Sequence, residues 1–212
     1  MDSVSGVGVL DKAFTVLNAV VERPLTLNEV IAATTLPRAT AHRLLMALEA
    51  HGAVRRNDEG AYCVGPSMVG LASAAARQFP WIDRARAAAQ ELRDSTGESV
   101  QVYVVEGDGR RCIVSFESTH GLRWIVPVGS LLPLARGSAG RVLSGQRPGP
   151  GGWIESSEER EKGVASVSAP VTDADGRVVA AVSVSGPIER MGPTAVKRHG
   201  ATVARMARSL SV

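Results

Sequence analysis

Between Leu10 and Gly52 the apolar residues recur every three to four positions, and the run is cut at Pro24 and again at Pro37. That period belongs to helices packed on a shared core, and the two prolines hold each helix to a few turns. Leu10, Ala13, Phe14, Leu17 and Val21 predict a first helix of about 12 residues with those side chains as its buried stripe. Thr26, followed three positions later by Glu29, has the spacing of a capping box. A short second helix therefore runs on with Leu27, Val30 and Ile31 inward, and ends near Thr34 and Thr35. In "LPRATAHRLL" Pro37 suits a first helical position, where a missing N–H costs nothing. Ala41, Leu44, Leu45 and Leu48 then line the inner face of a third helix, Ala39, His42, Arg43 and Met46 point away, and Gly52 closes it. "AVRRNDEGAYCV" predicts two short strands around an Asn57 to Gly60 turn, which completes a winged helix-turn-helix over residues 1–65.

Pro66 through Ala76, with Met68, Val69 and Leu71, reads as a linker helix, and residues 66–80 are assigned to the linker. A second domain follows over 81–212. It opens with a helix from Ile82 to Thr96, carrying Ala85, Ala88, Ala89 and Leu92 on one side and stopped by Gly97. The period then changes to that of strands: "SVQVYVVE", turn "GDGR", "RCIVSFES". A helix starts at Gly137 to Gly140, after "LRWIVPVG" and Pro133. "GVASVSAPV", turn "TDADGR" and "VVAAVSVSG" form a hairpin, and a terminal helix carries Val196, Val203, Met206, Ala207 and Leu210. The fold class is α+β, an antiparallel sheet flanked by helices. "QRPGPGG", residues 146–152, forbids regular structure and is either a loop or the scar of a missing segment.

No apolar run approaches the roughly 20 residues that span a membrane, and the N-terminus lacks a secretory pattern, so a cytoplasmic protein is expected. Cys63 and Cys112 stand 49 positions apart without metal-ligand spacing and are expected to be two small buried side chains. The net charge is +3, yet residues 1–65 hold six Lys/Arg against seven Asp/Glu. Basic charge is concentrated over 36–56 instead, with four arginines against Glu49.

A helix read into the major groove contacts bases with its N-terminal residues. Arg38, Thr40, His42 and Arg43 lie there; Arg43 can pair bidentately with guanine, and Ala39 or Thr40 can touch a thymine methyl. Arg55 and Arg56 on the wing are placed for phosphate or minor-groove contact. The competing reading is a solvated helix face, or a winged helix used for protein contacts. In the second domain, Ser138, Ala139 and Gly140 offer free N–H groups to a carboxylate. Ser183 and Ser185 share one side of a strand, as Ser166 and Ser168 do on its hairpin partner. These hydroxyls serve a small polar ligand, or else satisfy one another and the backbone. An enzyme is disfavoured: GxSxG, HExxH and GxxxxGK are absent, and His120 and His199 read as surface or capping residues.

"LTLNEVIAATTLPRATAHRLLMALEAHGAV", "GAYCVGPSM", "GVASVSAPV" and "RVVAAVSVSGPIER" together resemble the IclR family of transcriptional regulators over nearly the whole chain. "SGVGVLDKA" with "GVASVSAPV" and "SVSGPIER" is similar to the actinobacterial branch typified by NdgR and LtbR, regulators of leucine and other amino-acid biosynthesis. The resemblance implies a GAF-like or profilin-like effector-binding domain, no cofactor, a homodimer or dimer of dimers, an operator in double-stranded DNA and a small effector of the amino-acid or keto-acid kind. It places the effector pocket at Leu132, Ser138, Ala139, Ser156, Ser166, Ser183 and Ser185. This chain departs from the family where Ser156 replaces an acid, where "SGQRPGPGGW" replaces a longer helical segment, and where Thr35 stands for a glycine. With Ser156 uncharged, keto-acid recognition is not carried over; the adjacent Glu155 should point elsewhere, and effector binding is either altered or lost.

Overall fold

In a computed structural model, residues 6–79 and 81–211 are described, and the chain divides into two compact units, 1–78 and 79–212. Pro80, expected at the end of the linker, lies outside the described residues, as do Asp2 at the N-terminus and Val212.

The first unit holds helices α1 (Gly8–Glu22), α2 (Leu27–Thr34) and α3 (Arg38–Ala50), the hairpin strands β1 (Val54–Arg56) and β2 (Tyr62–Val64), and α4 (Ser67–Gln78). The capping box at α2 is closed in both directions: the Thr26 side chain accepts from the Glu29 N–H, and the Glu29 carboxylate accepts from the Thr26 N–H at 2.8 Å. That backbone donor first, and Arg23 next, hold the Glu29 carboxyl down at about 2. The core joins Val16 and Val20 of α1 to Val30, Leu36, Ala41, Leu44, Leu45, Val54 and Tyr62.

Two expectations change here. Pro37 is the residue before α3 rather than its first member, with Arg38 starting the helix. The stripe expected to be buried on α1 is largely outside: Leu10 is 51% exposed, Phe14 61% and Val21 54%. α1 carries two apolar stripes, and the one that meets α2 and α3 is Val16 and Val20 with Ala13, Leu17 and Ala19 beside them. Spacing alone scores both stripes alike, and the longer side chains drew the assignment to the wrong one.

The second unit is a six-stranded antiparallel sheet in the order β5-β4-β3-β8-β7-β6. Its strands are β3 (Ser99–Glu106), β4 (Gly109–Phe116), β5 (Leu131–Pro133), β6 (Ile154–Ser157), β7 (Val164–Thr172) and β8 (Val178–Pro187). Helices α5 (Trp81–Thr96) and α7 (Pro193–Leu210) cover one face, and α6 (Gly137–Leu143) lies on the other. Strand alternation explains the division. Val100, Val102, Val167, Ala169, Ala180, Val182 and Val184 turn to α5 and α7. Tyr103, Cys112 and Ala181 turn to α6, where they meet Ala139 and Val142. Strand β6 was not foreseen, and "QRPGPGG" before it forms no helix or strand. Cys112 is buried, which pushes its thiol up to about 12, but Cys63 is only half-buried. His199 is buried on α7, not a surface residue as expected.

Thr35 ends α2 at φ 56° and ψ 18°, the left-handed conformation that a β-branched residue adopts at a cost. Thr35→Gly should therefore stabilise the first unit by about 1 kcal/mol, read as a higher unfolding midpoint. A Cβ on Gly140 would sit 2.2 Å from the Leu134 carbonyl oxygen and 2.6 Å from an Arg110 nitrogen. Gly140→Ala should accordingly cost the second unit about 2 kcal/mol in urea unfolding. Desolvation, then the Arg198 charge, lowers the His199 pKa below its ordinary 6.5, against a smaller opposing effect of Glu98. The neutral imidazole is the form that fits, so its contribution is complete above pH 6.5 and is lost as pH falls below that. His199→Gln should flatten the loss of stability between pH 7 and 5 measured by urea titration.

Candidate nucleic-acid interface and effector cavity

The outer front of α3 is available as a reading edge. Arg38, Ala39, His42 and Arg43 are exposed and Thr40 is half-buried, while Ala41, Leu44 and Leu45 fix the opposite side into the core. Arg38 donates to the Asn28 side chain at 2.8 Å, which ties its guanidinium to the start of α2. The wing separates its two arginines. Arg55 and Arg56 are successive residues of one strand and so point to opposite faces. Arg56 donates to the Tyr62 hydroxyl at 2.6 Å, lies 4.7 Å from that ring's centroid and comes within 3.9 Å of Glu49. Arg55 is exposed and, among the described residues, reaches only the Arg56 carbonyl, at 3.4 Å.

In the second unit, register brings the serines together. β7 pairs with β8 so that Ser166 faces Ser185 and Ser168 faces Ser183, and β6 adds Ser156 opposite Ser166. Ser138, at the start of α6, lies 2.7 Å from both the Ser166 and Ser168 hydroxyls, and Ser168 donates to Ser183 at 2.9 Å. Ser138, Ser166, Ser168 and Ser183 thus satisfy one another, and Ser138, Ser166 and Ser183 border, with Ser156 and Ser185, a cavity of about 30 Å³, room for a water or two. Of the pocket residues named from the sequence, Ser138, Ala139, Ser156, Ser166, Ser183 and Ser185 line this cavity. Leu132 does not; it packs in the apolar cluster under α6. Glu155 is exposed, on the other side of β6 from Ser156.

The sequence reading missed Gln101, Tyr103, Arg110, Trp124 and Arg160, which line the same cavity. The signal for the first two was present, since Gln101 and Tyr103 alternate with Val100 and Val102 in "SVQVYVVE" and so share the site face. Burial pushes the Tyr103 phenol pKa up and the Arg110 pKa down. Arg160 stacks on Trp124 at 4.6 Å, joining two walls of the cavity. At the α6 start, the Gly137 N–H donates to Glu159 at 3.1 Å, and Arg141 binds the other oxygen of that carboxylate at 2.5 Å. Among the described residues no cluster of His, Cys, Asp or Glu could hold a metal ion, and no helix is long and apolar enough to cross a membrane.

Comparison with known proteins agrees with this architecture. The sequence model of the IclR helix-turn-helix domain matches residues 9–58, and that of the bacterial transcriptional regulator IclR C-terminal domain matches residues 150–212. The HTH-type transcriptional regulator BhcR of Paracoccus denitrificans is 27% identical over 242 positions, covering 97% of this chain and 87% of its own. The transcriptional repressor IclR of Escherichia coli is 24% identical over 225 positions, covering 89% and 82%. The crystal structure of an IclR homologue from Microbacterium hydrocarbonoxydans, complexed with 4-hydroxybenzoate, superposes with a TM-score of 0.72 at 19% identity, covering 95% and 99%. These matches are to transcription regulators, not to enzymes. With its two units each matched by a model of the same family, the chain belongs to the IclR family of DNA-binding transcriptional regulators.

Proposed function

We propose that this regulator reads its operator with Ala39, Thr40, His42 and Arg43 of α3, holds the flanking phosphates with Arg38, Arg55 and Arg56, and releases or tightens its grip when a small effector enters the cavity beside α6. The carrying observation is the split of α3, in which Ala41, Leu44 and Leu45 are spent on the core while its front residues stand in solvent. Among the wing residues Arg55 contributes most to phosphate binding, because Arg56 is already tied to Tyr62. In the second unit, Ser138, Ala139, Ser156, Ser166, Ser183 and Ser185 face the ligand, and Leu132 supports them from behind. The 4-hydroxybenzoate complex of the Microbacterium homologue supports a small organic effector.

The working unit in this reading is a homodimer, or a dimer of dimers, acting as a repressor. The outer stripe of α1, Leu10, Phe14 and Val21, leaves apolar surface that a second copy would cover. Two copies also double the few basic contacts of a domain whose own net charge is −1 over residues 1–65. The likeness of "SGVGVLDKA", "GVASVSAPV" and "SVSGPIER" to the NdgR and LtbR branch supports target genes of amino-acid biosynthesis.

A gel-shift titration on the natural promoter and on random DNA tests the reading. Arg43→Ala should weaken specific binding roughly ten- to a hundredfold and spare binding to random DNA, the loss of one bidentate base contact. Arg55→Ala should weaken both equally and reduce the slope of log affinity against log salt by about 1. Equal loss on both DNAs with Arg43→Ala would remove Arg43 from sequence reading.

A further inference from the structure

We propose that the outer face of α7 is a second DNA contact, which holds backbone phosphates of the duplex flanking the operator. The contact presupposes only that the first unit binds an operator, and it adds a separate surface in the second unit.

α7 carries Lys197, Arg198, Arg205 and Arg208 and no Asp or Glu along its 18 residues. At 3.6 residues per turn these four fall within about 100° of one another around the axis, over a rise of about 16 Å. All four are exposed, and among the described residues none of their side chains makes a hydrogen bond or an ion pair. Acids stand nearby without balancing the stripe. Glu91 of α5 lines the groove that Arg198 and Arg205 border, and Glu155 and Glu159 share another groove with Lys197. Glu159 is paired with Arg141; past the end of α7, Asp173 accepts from the backbone of its own turn and Asp175 pairs with Arg177. One carboxylate beside Arg198, Arg205 and Arg208 leaves that stretch net positive.

Charge is distributed in the same sense along the chain. The net charge is +3, with −1 over residues 1–65, so residues 66–212 hold +4, and α7 alone carries as much. A DNA-binding chain thus keeps its basic surplus outside the helix-turn-helix.

The face also discriminates among polyanions. Among the described residues none of the exposed large apolar side chains lies on α7, whose apolar stripe of Val196, Val203, Ala204, Ala207 and Leu210 is spent on the core. A helix that lies on a membrane inserts its apolar side, and a protein interface has an apolar centre; α7 offers neither. Duplex DNA asks for neither, because its interfaces are polar and strongly positive, and a stretch as long as the stripe carries about nine backbone charges. Operator binding by the first unit also tethers the second near flanking duplex, which raises the effective concentration of that partner.

The experiment is a gel-shift titration of the full chain over a range of salt on two DNAs. One is the natural promoter cut to its nuclease footprint, and the other is the same fragment with about three helical turns of unrelated sequence added on each side. Arg198→Gln, Arg205→Gln and Arg208→Gln together should leave affinity for the short DNA within about twofold and weaken binding to the long DNA about tenfold. The slope of log affinity against log salt should fall by about 2 or more on the long DNA alone. Arg147→Gln, Lys162→Gln and Arg177→Gln together, exposed positions outside α7 with the same change in charge, should lack this effect. Equal loss from both triple variants would reduce the effect to the general field of the protein and overturn the contact. Unchanged binding of the α7 variant to the long DNA, or equal loss on both DNAs, would overturn it as well. Binding of the wild type to anionic vesicles or to polyglutamate that disappears in the α7 variant, with DNA binding intact, would give the face to another partner. Arg43→Ala, which acts on both DNAs alike, keeps a failure of the α3 reading distinct from a failure of this one.

Discussion

The two-residue period of β3, β7 and β8 is the constraint on which the second unit depends. Val100, Val102, Val167, Val182 and Val184 must face α5 and α7, because those helices offer mainly Ala85, Ala89, Leu92, Val203, Ala204 and Ala207 in return. Once that face is fixed, the intervening residues have no choice of side. Gln101, Ser166, Ser168, Ser183 and Ser185 are carried to the opposite face together, where α6 covers them. A slip of one residue in any of these strands would bury polar groups against the helices and expose the valines. The polar cavity is therefore a consequence of packing on the other side of the sheet.

Much of this was legible in the sequence. The Thr26 to Glu29 spacing, the turn in "TDADGR" and the strict alternation of "GVASVSAPV" are local signals, and each corresponds to the element it predicts. What was lost is what local patterns do not hold. α1 has two apolar stripes and only tertiary contact distinguishes them, so Leu10 and Phe14 were placed inside. Strand β6 is four residues long and follows a proline- and glycine-rich stretch, and its strand character comes from pairing with β7. Arg110 reads as one of two arginines beside a hairpin turn. Its burial is created by β5, which pairs across it at Leu132, and by α6, where Gly140 leaves room for its guanidinium.

In the proposed reading, DNA contact and the packing of the domain draw on the same few side chains in the first unit. Arg56 shows the competition directly: its bond to Tyr62 and its stacking on that ring fasten the wing, and Tyr62 in turn pairs with Leu25 just ahead of α2. A guanidinium engaged in this way keeps its charge, so it still attracts phosphate through the field while its geometry is set by the protein. Among the described residues Arg55 bonds only the Arg56 carbonyl and Arg43 has no hydrogen bond or ion pair, so in the proposed reading both are free to adapt to the DNA.

The short connection from α6 to β6 bears on the cavity as well. The BhcR alignment runs over 242 positions, more than the 212 residues present here, so that relative holds segments this chain lacks. Where this chain turns from α6 into β6, Trp153 fills the space left by two glycines: a Cβ on Gly151 would lie 2.1 Å from its ring, and one on Gly200 of α7 2.5 Å. The turn is thus closed by an aromatic wedge set against α7, not left as a slack loop. At the other end of α6, Ser138 lies close to Ser166 and Ser168, and the cavity that Ser138 and Ser166 border is small. Of its remaining walls, the β6–β7 loop and the segment after β4 meet through the stack of Arg160 on Trp124. Such a contact between two half-buried groups is worth about 0.5–2 kcal/mol, so in the proposed reading an effector enters by parting Arg160 from Trp124 rather than by displacing α6.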